Sequence, residues 1–364
     1  MRELCPALAN KTYFNYGGQG PLPTPALEAI LTSWRTIQEL GPFSTAVWPF
    51  VQRETSRVRA ALASLCGVEP LRLALTENVS TGCVLPLWGL PWQPGDGLLI
   101  SDCEHPGVVA ACRELARRQE LQIHTLPVLD LCRRTHQSAL AAAVLDALEQ
   151  HLSPNTRLVA LSHLLWNSGS VMPIAAVAER LSRHPRQPWL LVDAAQSLGS
   201  IPAAEAAAAA DIYAFTGHKW CCGPEGLGGV ALSERVLEQA QPTLIGWRSL
   251  CHEAAAVSAF HSDAQRLERI RACSRRLWQG LQQRPWTQPL LPEAPPAGLV
   301  SFTLDGREGR ALATTTAVQR LGAQGLWIRN LEDPDCLRAC THITTTTAEI
   351  DQLLDALDAL HSAS

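Results

Sequence analysis

The sequence predicts an α/β fold, with a large domain built on a mostly parallel sheet and a smaller C-terminal α+β domain. From Leu71 onward, short strands that are apolar throughout alternate with helical stretches, as expected when both faces of a parallel sheet are buried. Between Arg235 and Asp263 this alternation is lost. We therefore predict an N-terminal segment at 1–23, a large domain at 24–245 and a small domain at 246–364.

The part before the sheet is predicted to hold a turn-rich segment and two helices. The run YGGQGPLP at 16–23 has the glycine and proline content of turns. Thr24 can cap a first helix, Pro25 suits its first turn, and Gly41 follows its last apolar residue. An apolar stripe then predicts a second helix over Phe50 to Leu65.

The predicted strands of both domains are short apolar runs bounded by turn residues. In the large domain they are Leu71–Leu75, Leu98–Ser101, Gln122–Leu126, Leu158–Ser162, Trp189–Asp193, Ile212–Phe215 and Gly229–Leu232, with helices such as Gly107–Glu120, Ala139–His151 and Ala203–Ala210 between them. In the small domain we expect helix Asp263–Gln282, a proline-rich connector, strands Leu299–Leu304, Leu326–Arg329 and Leu337–His342, and helix Thr347–Leu360.

The composition excludes several classes of function. A net charge of −4 over 364 residues leaves no basic excess to offset phosphates, so nucleic acid is not an expected partner. No apolar run reaches the ~18 residues of a membrane span, and the N-terminus lacks the long apolar stretch of a secretory signal. The 12 cysteines form no CxxC pair, so we expect reduced thiols in a cytoplasmic protein without a metal site.

Polar residues cluster where the predicted parallel strands end, which is where ligands bind in such sheets. The five strand-end segments contain TENVSTG, DCEHPG, His163 with WNSG, Asp193 with Gln196, and Thr216 to Lys219. Because the carboxyl ends of parallel strands meet at one edge of a sheet, we expect these segments to converge on one crevice.

A lysine and an aspartate in this set indicate a cofactor that carries an aldehyde and a pyridine ring. Lys219 lies in a glycine-flanked turn after an apolar strand, where its amine can meet an aldehyde. Asp193 ends a buried strand, where a carboxylate needs a cation such as a protonated pyridine nitrogen. Together they predict pyridoxal 5'-phosphate (PLP) chemistry with Lys219 as the Schiff-base residue. The alternatives are a surface lysine and a helix-capping or salt-bridged aspartate.

Other residues of the crevice can complete a cofactor site. Ser80 or Thr81, at the start of a helix, can hold a phosphate, although an ordinary N-cap is the commoner use of such residues. His105 can lie on the cofactor face or act as a structural hydrogen-bonding residue. Three further residues can reach the cofactor: Gln196 its phenolic oxygen, and Thr216 and His218 its phosphate.

Arg338 is the candidate ligand for a substrate carboxylate. Strand alternation places it on one face with Cys336, Cys340 and His342, and an arginine between small thiol residues needs an anion. Arg329, at another strand end, can assist it. A structural ion pair is the alternative for both arginines. The cysteines and the histidine stand at every second position of one strand, which makes a poor tetrahedral metal site.

Taken together, these segments resemble class V aminotransferase-fold PLP enzymes, and within them the cysteine and cystine carbon–sulfur lyases. The resemblance rests on YFNYGGQGPLP, TENVSTG, DCEHPG, LSHLLWNSG, VDAAQ, TGHKWCCGPEG, IGWRS and CLRACTH, which follow the family order over most of the chain. It implies PLP fold type I, like that of aspartate aminotransferase. It also implies a homodimer with each site near the subunit interface.

The resemblance further implies roles for individual residues. Lys219 forms the Schiff base, His105 stacks on the pyridine ring, and Asp193 pairs with the ring nitrogen. The remaining roles are a bond from Gln196 to the phenolic oxygen, phosphate binding by Asn78, Val79, Ser80, Thr81, Thr216 and His218, a substrate-carboxylate site at Arg338 and Arg329, and a contact from Trp247 to the partner's cofactor region.

We expect PLP-dependent β-elimination on cysteine or cystine, giving pyruvate, ammonia and sulfide or persulfide. The first alternative is a cysteine desulfurase or another class V aminotransferase or epimerase. A desulfurase needs a mobile thiol, whereas Cys336 and Cys340 are predicted in a strand. The second is a paralogue with impaired catalysis, because the stretch around Leu250–Ala264 is shorter than in the family. Alanine as product indicates a desulfurase, and pyruvate indicates a lyase.

Overall fold

In the computed structural model the chain forms two compact units, Met1–Leu244 and Ile245–Ser364. The structure describes residues 2–245, 264–306, 312–332, 334–342 and 345–363. Each unit has its own sheet and its own hydrophobic core. None of the helices in these ranges combines the length and the apolar character needed to cross a bilayer.

The described part of the first unit is built on a seven-stranded sheet. Its strands are β1 (Leu73–Thr76), β2 (Gly97–Ser101), β3 (Gln122–Leu126), β4 (Thr156–Ala160), β5 (Trp189–Asp193), β6 (Ile212–Thr216) and β7 (Gly228–Leu232), in the spatial order β1-β7-β6-β5-β4-β2-β3. Strand β7 is antiparallel to β1 and β6, and the other neighbouring pairs are parallel. Strands β1 to β6 therefore all end at one edge, which confirms the predicted mostly parallel sheet.

Helices cover both faces of this sheet. They are α1 (Thr24–Leu40), α2 (Val47–Leu65), α3 (Val79–Gly89), α4 (Pro106–Gln119), α5 (Leu129–Arg134), α6 (Gln137–His151), α7 (Ile174–Ser182), α8 (Ala204–Ala209) and α9 (Glu234–Gln239), with 3-10 turns at Arg2–Leu4, Pro6–Leu8 and Pro70–Arg72. One buried cluster packs residues of α2, α6, α7 and α8 on what we call the α7 face. A second packs residues of α3, α4 and α9 on the opposite, α4 face.

Strand alternation decides which side chain meets which cluster. In β5, Leu190 and Val192 belong to the α7 face, whereas Trp189 and Leu191 belong to the α4 face. Asp193 therefore follows Trp189 and Leu191 onto the α4 face, because residues two apart on a strand share a side.

The start of α1 differs from the sequence-based expectation. Pro23 occupies the cap position and Thr24 is the first helical residue, with no side-chain capping bond. Helix α1 also contains no buried residue in this structure, although it is amphipathic in sequence.

The second unit has a smaller antiparallel sheet with three described helices. The strands β8 (Thr287–Pro289), β9 (Leu299–Leu304), β10 (Arg329–Glu332) and β11 (Asp335–Cys340) lie in the order β10-β11-β9-β8, beside α10 (Ala264–Gln282), α11 (Thr314–Gly322) and α12 (Thr347–Ser362). The core of this unit packs residues such as Phe302, Leu337 and Leu357. His342 lies two residues beyond the end of β11, so it does not share the strand face predicted for it.

Candidate functional site

A cleft opens where strands β1, β2, β4, β5 and β6 end. Its lining consists of Val79, Ser80, His105, Val108, Ser162, Leu164, Trp166, Asp193, Ala195, Gln196 and Lys219. It encloses about 470 Å³ of empty space, part of it open to solvent. That volume lies within the roughly 300–1,000 Å³ typical of small-molecule sites. Each of the five strand-end segments predicted to converge contributes at least one residue to this lining.

Lys219 lies in a tight turn that the N-terminal segment helps to hold. The N–H of Gly20 donates to the carbonyl of His218 at 2.7 Å, and the N–H of Cys222 donates to the carbonyl of Lys219 at 3.0 Å. A Cβ on Gly20 would lie 2.1 Å from the Lys219 carbonyl oxygen, so only glycine fits this approach. Burial lowers the pKa of the Lys219 amine, and the charge of Asp193 partly opposes this shift.

Asp193 is a buried carboxylate with spare hydrogen-bonding capacity. It is 7% exposed, and its Oδ1 accepts the N–H of Ala195 at 2.9 Å. In the described part of the chain this is its one hydrogen bond. Burial raises the pKa of Asp193, while the bond from Ala195 and the charges of Lys219 and His105 partly lower it. A buried carboxylate in this state favours a nearby cation.

The N-terminus of α3 both forms a cap and faces the cleft. Asn78 is the N-cap, and its Oδ1 accepts the N–H of Thr81 at 3.0 Å. The N-cap is therefore Asn78, whereas Ser80 and Thr81, for which the sequence left an N-cap role open, lie in the first turn of the helix. Val79 and Ser80, between the two capping partners, line the cleft. The first N–H groups of a helix have no acceptor within the helix, so this end suits an anion.

His105 forms one wall of the cleft. It is the N-cap of α4, and its Nδ1 accepts the N–H of Gly107 at 3.2 Å. The ring of Trp166 meets it edge to face, with the ring centroids 5.9 Å apart. Trp166 was not selected from the sequence, although the segment WNSG that contains it was expected at the crevice.

Glu104 is a buried acid behind this wall that the sequence analysis also did not select. Its two carboxylate oxygens accept the N–H and the hydroxyl of Ser162, each at 2.8 Å. Burial raises the pKa of Glu104 to about 7, although the hydrogen bonds from Ser162 act in the opposite direction and lower it. The pair ties the end of β2 to the end of β4, and Ser162 lines the cleft. The signal in the sequence was an acidic residue directly before His105.

Gln196 reaches the cleft with its amide held at both ends. Its Oε1 accepts the indole N–H of Trp220 at 2.8 Å, and its Nε2 donates to the carbonyl of Gly17 at 2.9 Å. Thr216 and His218, next to Lys219, are hydrogen-bonded to each other with Oγ1 and Nδ1 2.7 Å apart, and they are not among the residues that line the cleft.

His163 was expected at the crevice, but its side chain lies on the α7 face. Its Nδ1 is 2.9 Å from the Tyr213 hydroxyl, which lies 3.0 Å from the hydroxyl of Ser197. Burial lowers the pKa of His163 to about 4, so the ring is neutral at pH 7. The strand end explains the difference, because Ser162 faces the cleft and the next residue points to the other side.

The two candidate substrate-binding arginines lie in the second unit. Arg329 of β10 and Arg338 of β11 are directly paired across the two strands. The Nε of Arg338 is buried and has no hydrogen-bond acceptor among the described residues. On the same strand, Cys336 is buried, which raises the pKa of its thiol, and Cys340 is exposed. Trp247 and the stretch from Leu250 to Asp263 lie outside the described residues.

Known proteins resemble this chain over almost its full length. Isopenicillin N epimerase of Streptomyces clavuligerus is 28% identical, with 95% of this chain and 94% of the epimerase covered. A cysteine desulfurase of Haloferax volcanii is 25% identical, over 83% of this chain and 77% of that protein.

Solved structures of the cystine C–S lyase C-DES are also similar. A complex of that enzyme with its reaction product cysteine persulfide is 40% identical, covers 97% of this chain and 98% of the other, and has a TM-score of 0.63. A mutant of C-DES with glycine covalently linked to the PLP cofactor is 39% identical, covers 98% of both chains and has a TM-score of 0.65.

The family model for aminotransferase class V matches residues 52–268, which include the whole cleft lining. The fold agrees with the solved structures, so the predicted resemblance and fold class are confirmed. The chain belongs to the aminotransferase class V family.

Proposed function

We propose that this protein is a PLP-dependent carbon–sulfur lyase that acts on cystine or cysteine. The observation that carries the proposal is that the Lys219 amine and the buried carboxylate of Asp193 line the same cleft and are close enough for the charge of each to shift the pKa of the other. The substrate class is supported by 40% identity to a cystine C–S lyase over nearly the whole chain.

The residues of the cleft fit PLP. A protonated pyridine nitrogen is the kind of cation that the buried Asp193 favours, and the N-terminus of α3 at Val79 and Ser80 suits a phosphate. The lowered pKa of Lys219 increases the fraction of neutral amine, which is the form that reacts with an aldehyde. His105 offers a ring on the cleft wall, and Gln196 offers an amide N–H.

PLP supplies an electron sink that stabilises negative charge on the α-carbon of an amino acid. In the proposal, side chains of the protein move the proton, stabilise charge and bind the substrate. In the proposal the Lys219 amine takes the proton from the substrate Cα. The negative charge of Asp193 would stabilise the positive charge of a protonated pyridine nitrogen. Arg338, whose buried Nε has no acceptor among the described residues, binds the substrate carboxylate together with Arg329.

The overall reaction breaks the Cα–H and Cβ–S bonds of the substrate. Cystine and water give pyruvate, ammonia and cysteine persulfide, and cysteine and water give pyruvate, ammonia and sulfide. The persulfide is the better leaving group, which favours cystine. The sulfur departs with the bonding electron pair, so no external oxidant or reductant is needed.

The second candidate is the desulfurase activity of some relatives, and the state of the thiols disfavours it. A desulfurase needs a thiolate that attacks the substrate sulfur. Cys336 is fully buried and its pKa is raised, so it is a poor source of thiolate. Cys340 is exposed but belongs to strand β11. An epimerase, as in the Streptomyces relative, is a third candidate.

Product identity tests the proposal. The PLP-loaded protein is incubated with L-cystine and with L-cysteine, and pyruvate, alanine, sulfide and persulfide are measured, with Lys219→Ala as the control. We expect pyruvate with an equal amount of ammonia from the unmodified protein. Alanine would favour the desulfurase, and an inverted amino acid without pyruvate would favour an epimerase. A protein that binds PLP and turns over neither substrate would be the impaired paralogue.

We also propose a homodimer in the cytoplasm. Helix α1 carries an apolar stripe at Leu27, Leu31 and Trp34, which are 44%, 38% and 60% exposed and lie on one side of the helix. A second copy of the chain would cover this stripe. The described cysteines are all free thiols, as is usual in a reducing compartment. Sedimentation of Trp34→Glu against the unmodified protein tests the dimer, and we expect the variant to be monomeric.

A further inference from the structure

We propose that Trp220 is a positioning residue that fixes the orientation of the Gln196 amide and thereby tunes the protonation of the cofactor site. The proposal rests on the proposed function, because it requires PLP in the cleft. Trp220 itself does not line the cleft, whereas Gln196 does. The effect of Trp220 is therefore exerted through Gln196.

The hydrogen-bond partners of Gln196 determine the positions of the oxygen and the nitrogen of its amide. The indole N–H of Trp220 can only donate, and it lies 2.8 Å from the Gln196 Oε1. The carbonyl of Gly17 can only accept, and it lies 2.9 Å from the Gln196 Nε2. A rotated amide would place two acceptors together at one end and two donors together at the other. The pair of partners therefore holds a single orientation.

This orientation leaves one N–H of Gln196 for a ligand. The Nε2 has two N–H bonds, and Gly17 takes one of them. No acceptor for the second is found in the described part of the chain. Since Gln196 lines the cleft, this N–H is a donor for an anionic oxygen bound there.

Trp220 is itself held by the N-terminal segment. Its ring stacks on that of Tyr16, with the centroids 6.0 Å apart and the planes inclined by 22°. A Cβ on Gly17 would lie 3.0 Å from the Gln196 Oε1, so this segment also packs tightly on the amide. Tyr16, Gly17 and Trp220 together form a brace around Gln196.

The expected consequence is a change in the pKa of the cofactor–lysine linkage. A donor to the phenolic oxygen of PLP stabilises negative charge there, which lowers the pH at which the linkage to Lys219 loses its proton. Without the indole N–H, only the carbonyl of Gly17 still orients the amide, so the second N–H is held less firmly toward that oxygen. The linkage then keeps its proton to higher pH.

The test is a pH titration of the visible absorption of the PLP-loaded protein. Trp220→Phe keeps an aromatic ring beside Tyr16 but removes the N–H donor together with part of the indole volume. We expect its titration midpoint to rise by about one pKa unit, the scale of one hydrogen bond to a charged group. Trp92→Phe is the matched control, because Trp92 donates its indole N–H to the Leu87 carbonyl at 2.9 Å within a buried cluster. It should leave the midpoint unchanged.

A double-variant comparison tests the route through Gln196. If Trp220 acts through the amide, Gln196→Ala should raise the midpoint, and adding Trp220→Phe to it should raise it no further. A shift in Gln196→Ala with none in Trp220→Phe would overturn the inference, as would fully additive shifts. Should Trp220→Phe fail to fold, Gly17→Ala places a Cβ 3.0 Å from the Gln196 Oε1, which displaces the amide and should shift the midpoint in the same direction. An unmodified protein with no visible chromophore would instead refute the proposed function.

Discussion

Two sets of buried polar groups, on opposite faces of the main sheet, differ in how completely they are hydrogen-bonded within the protein. On the cleft side, Asp193 receives one described hydrogen bond and burial raises its pKa. On the α7 face, His163, Tyr213 and Ser197 form a continuous hydrogen-bonded chain with separations of 2.9 and 3.0 Å. Asp193 ends β5, His163 and Ser197 follow the ends of β4 and β5, and Tyr213 lies within β6.

This difference separates polar groups that serve a ligand from those that serve the fold. Buried polar groups are normally paired within the protein, and a group left with spare capacity costs stability. Asp193 keeps such capacity where a cation is proposed to bind. His163, Tyr213 and Ser197, in contrast, are hydrogen-bonded to one another. We therefore expect changes on the cleft side to lower activity, and changes on the α7 face to lower stability.

The largest expected effect is that of Lys219→Ala. Loss of the amine removes both the proposed Schiff-base group and the proposed base, so pyruvate formation from cystine should fall by at least about 10³-fold. The thermal midpoint should stay the same or rise slightly, because a desolvated amine is removed. The rate and the thermal midpoint are measured on the same preparation. A variant with the unmodified rate would contradict the assignment.

Asp193→Asn should have the next largest effect. The amide keeps the shape but not the charge that stabilises a pyridinium, so we expect kcat to fall by about 10²-fold. Stability should not fall, because a buried charge is removed. Asp130→Asn is a surface control, since Asp130 is exposed and pairs with Arg134. Equal loss of rate in both variants would show that charge at the cleft is not the cause.

Tyr213→Phe tests the other side of the comparison. Without the hydroxyl, the buried His163 Nδ1 and the Ser197 hydroxyl lose their shared partner, which should cost about 1–3 kcal/mol of unfolding free energy. The rate per folded molecule should stay within about two-fold. Urea denaturation and the pyruvate assay measure the two quantities. A large loss of rate at unchanged stability would place this hydrogen-bonded chain in the function of the cleft.

The titration of Glu104 should make the stability of the fold depend on pH. Its folded pKa of about 7 is above its ordinary value of 4.5, so the folded state binds more protons between these values. The stabilising contribution is full below pH 4.5 and is lost as the pH rises through 7. Glu104→Gln does not titrate: its Oε1 can accept the N–H of Ser162, and its Nε2 can donate to the Ser162 hydroxyl, which then acts as the acceptor. Its stability relative to the unmodified protein should increase from pH 4.5 to pH 8, on the order of 3 kcal/mol.

Urea denaturation across this pH range measures the effect of Glu104→Gln. His163, with its pKa lowered to about 4, contributes with the opposite sign: its stabilisation is full above its ordinary value of 6.5 and is lost as the pH falls through 4. A stability difference between the variant and the unmodified protein that is constant with pH would contradict the raised pKa of Glu104.

Much of the sheet could be predicted because its strands are apolar runs with polar ends. The limits of Gln122–Leu126 and Trp189–Asp193 agree with the structure to the residue. Helix α11, Thr314–Gly322, was missed because it begins with three threonines, which are weak helix formers, and it is held by packing of Ala317 and Leu321. Local propensity does not contain that packing.

The second sheet shows the same limit. Leu326–Arg329 was predicted as a strand from its apolar residues, but Leu326 and Ile328 pack on the core and β10 begins at Arg329. Strand β8, Thr287–Pro289, lies in the proline-rich connector, where proline is tolerated because the strand is at the sheet edge.

For the candidate site, the convergence of the strand ends was predictable and the partners of each side chain were not. Parallel topology brings Ser80, His105, Asp193 and Lys219 to one edge, as their cleft lining shows. The bond between Gln196 and Gly17 joins residues 179 positions apart, and no local pattern indicates it. The burial of Glu104 depends in the same way on Ser162, 58 residues later.

The contact of the N-terminal segment with the Lys219 turn has a consequence for folding order. Gly20 is hydrogen-bonded to His218, and Gly17 to Gln196. Most of the sequence of the first unit lies between the two residues of each pair. Contacts between distant parts of a chain carry a high loop-closure entropy and form late. We expect Lys219 to reach its final geometry only when the N-terminal segment packs on a sheet that has already formed. A circular permutation that changed the chain connection of residues 15–20 to the rest of the unit should leave the sheet intact. It should change the rate of the last folding step of the protein.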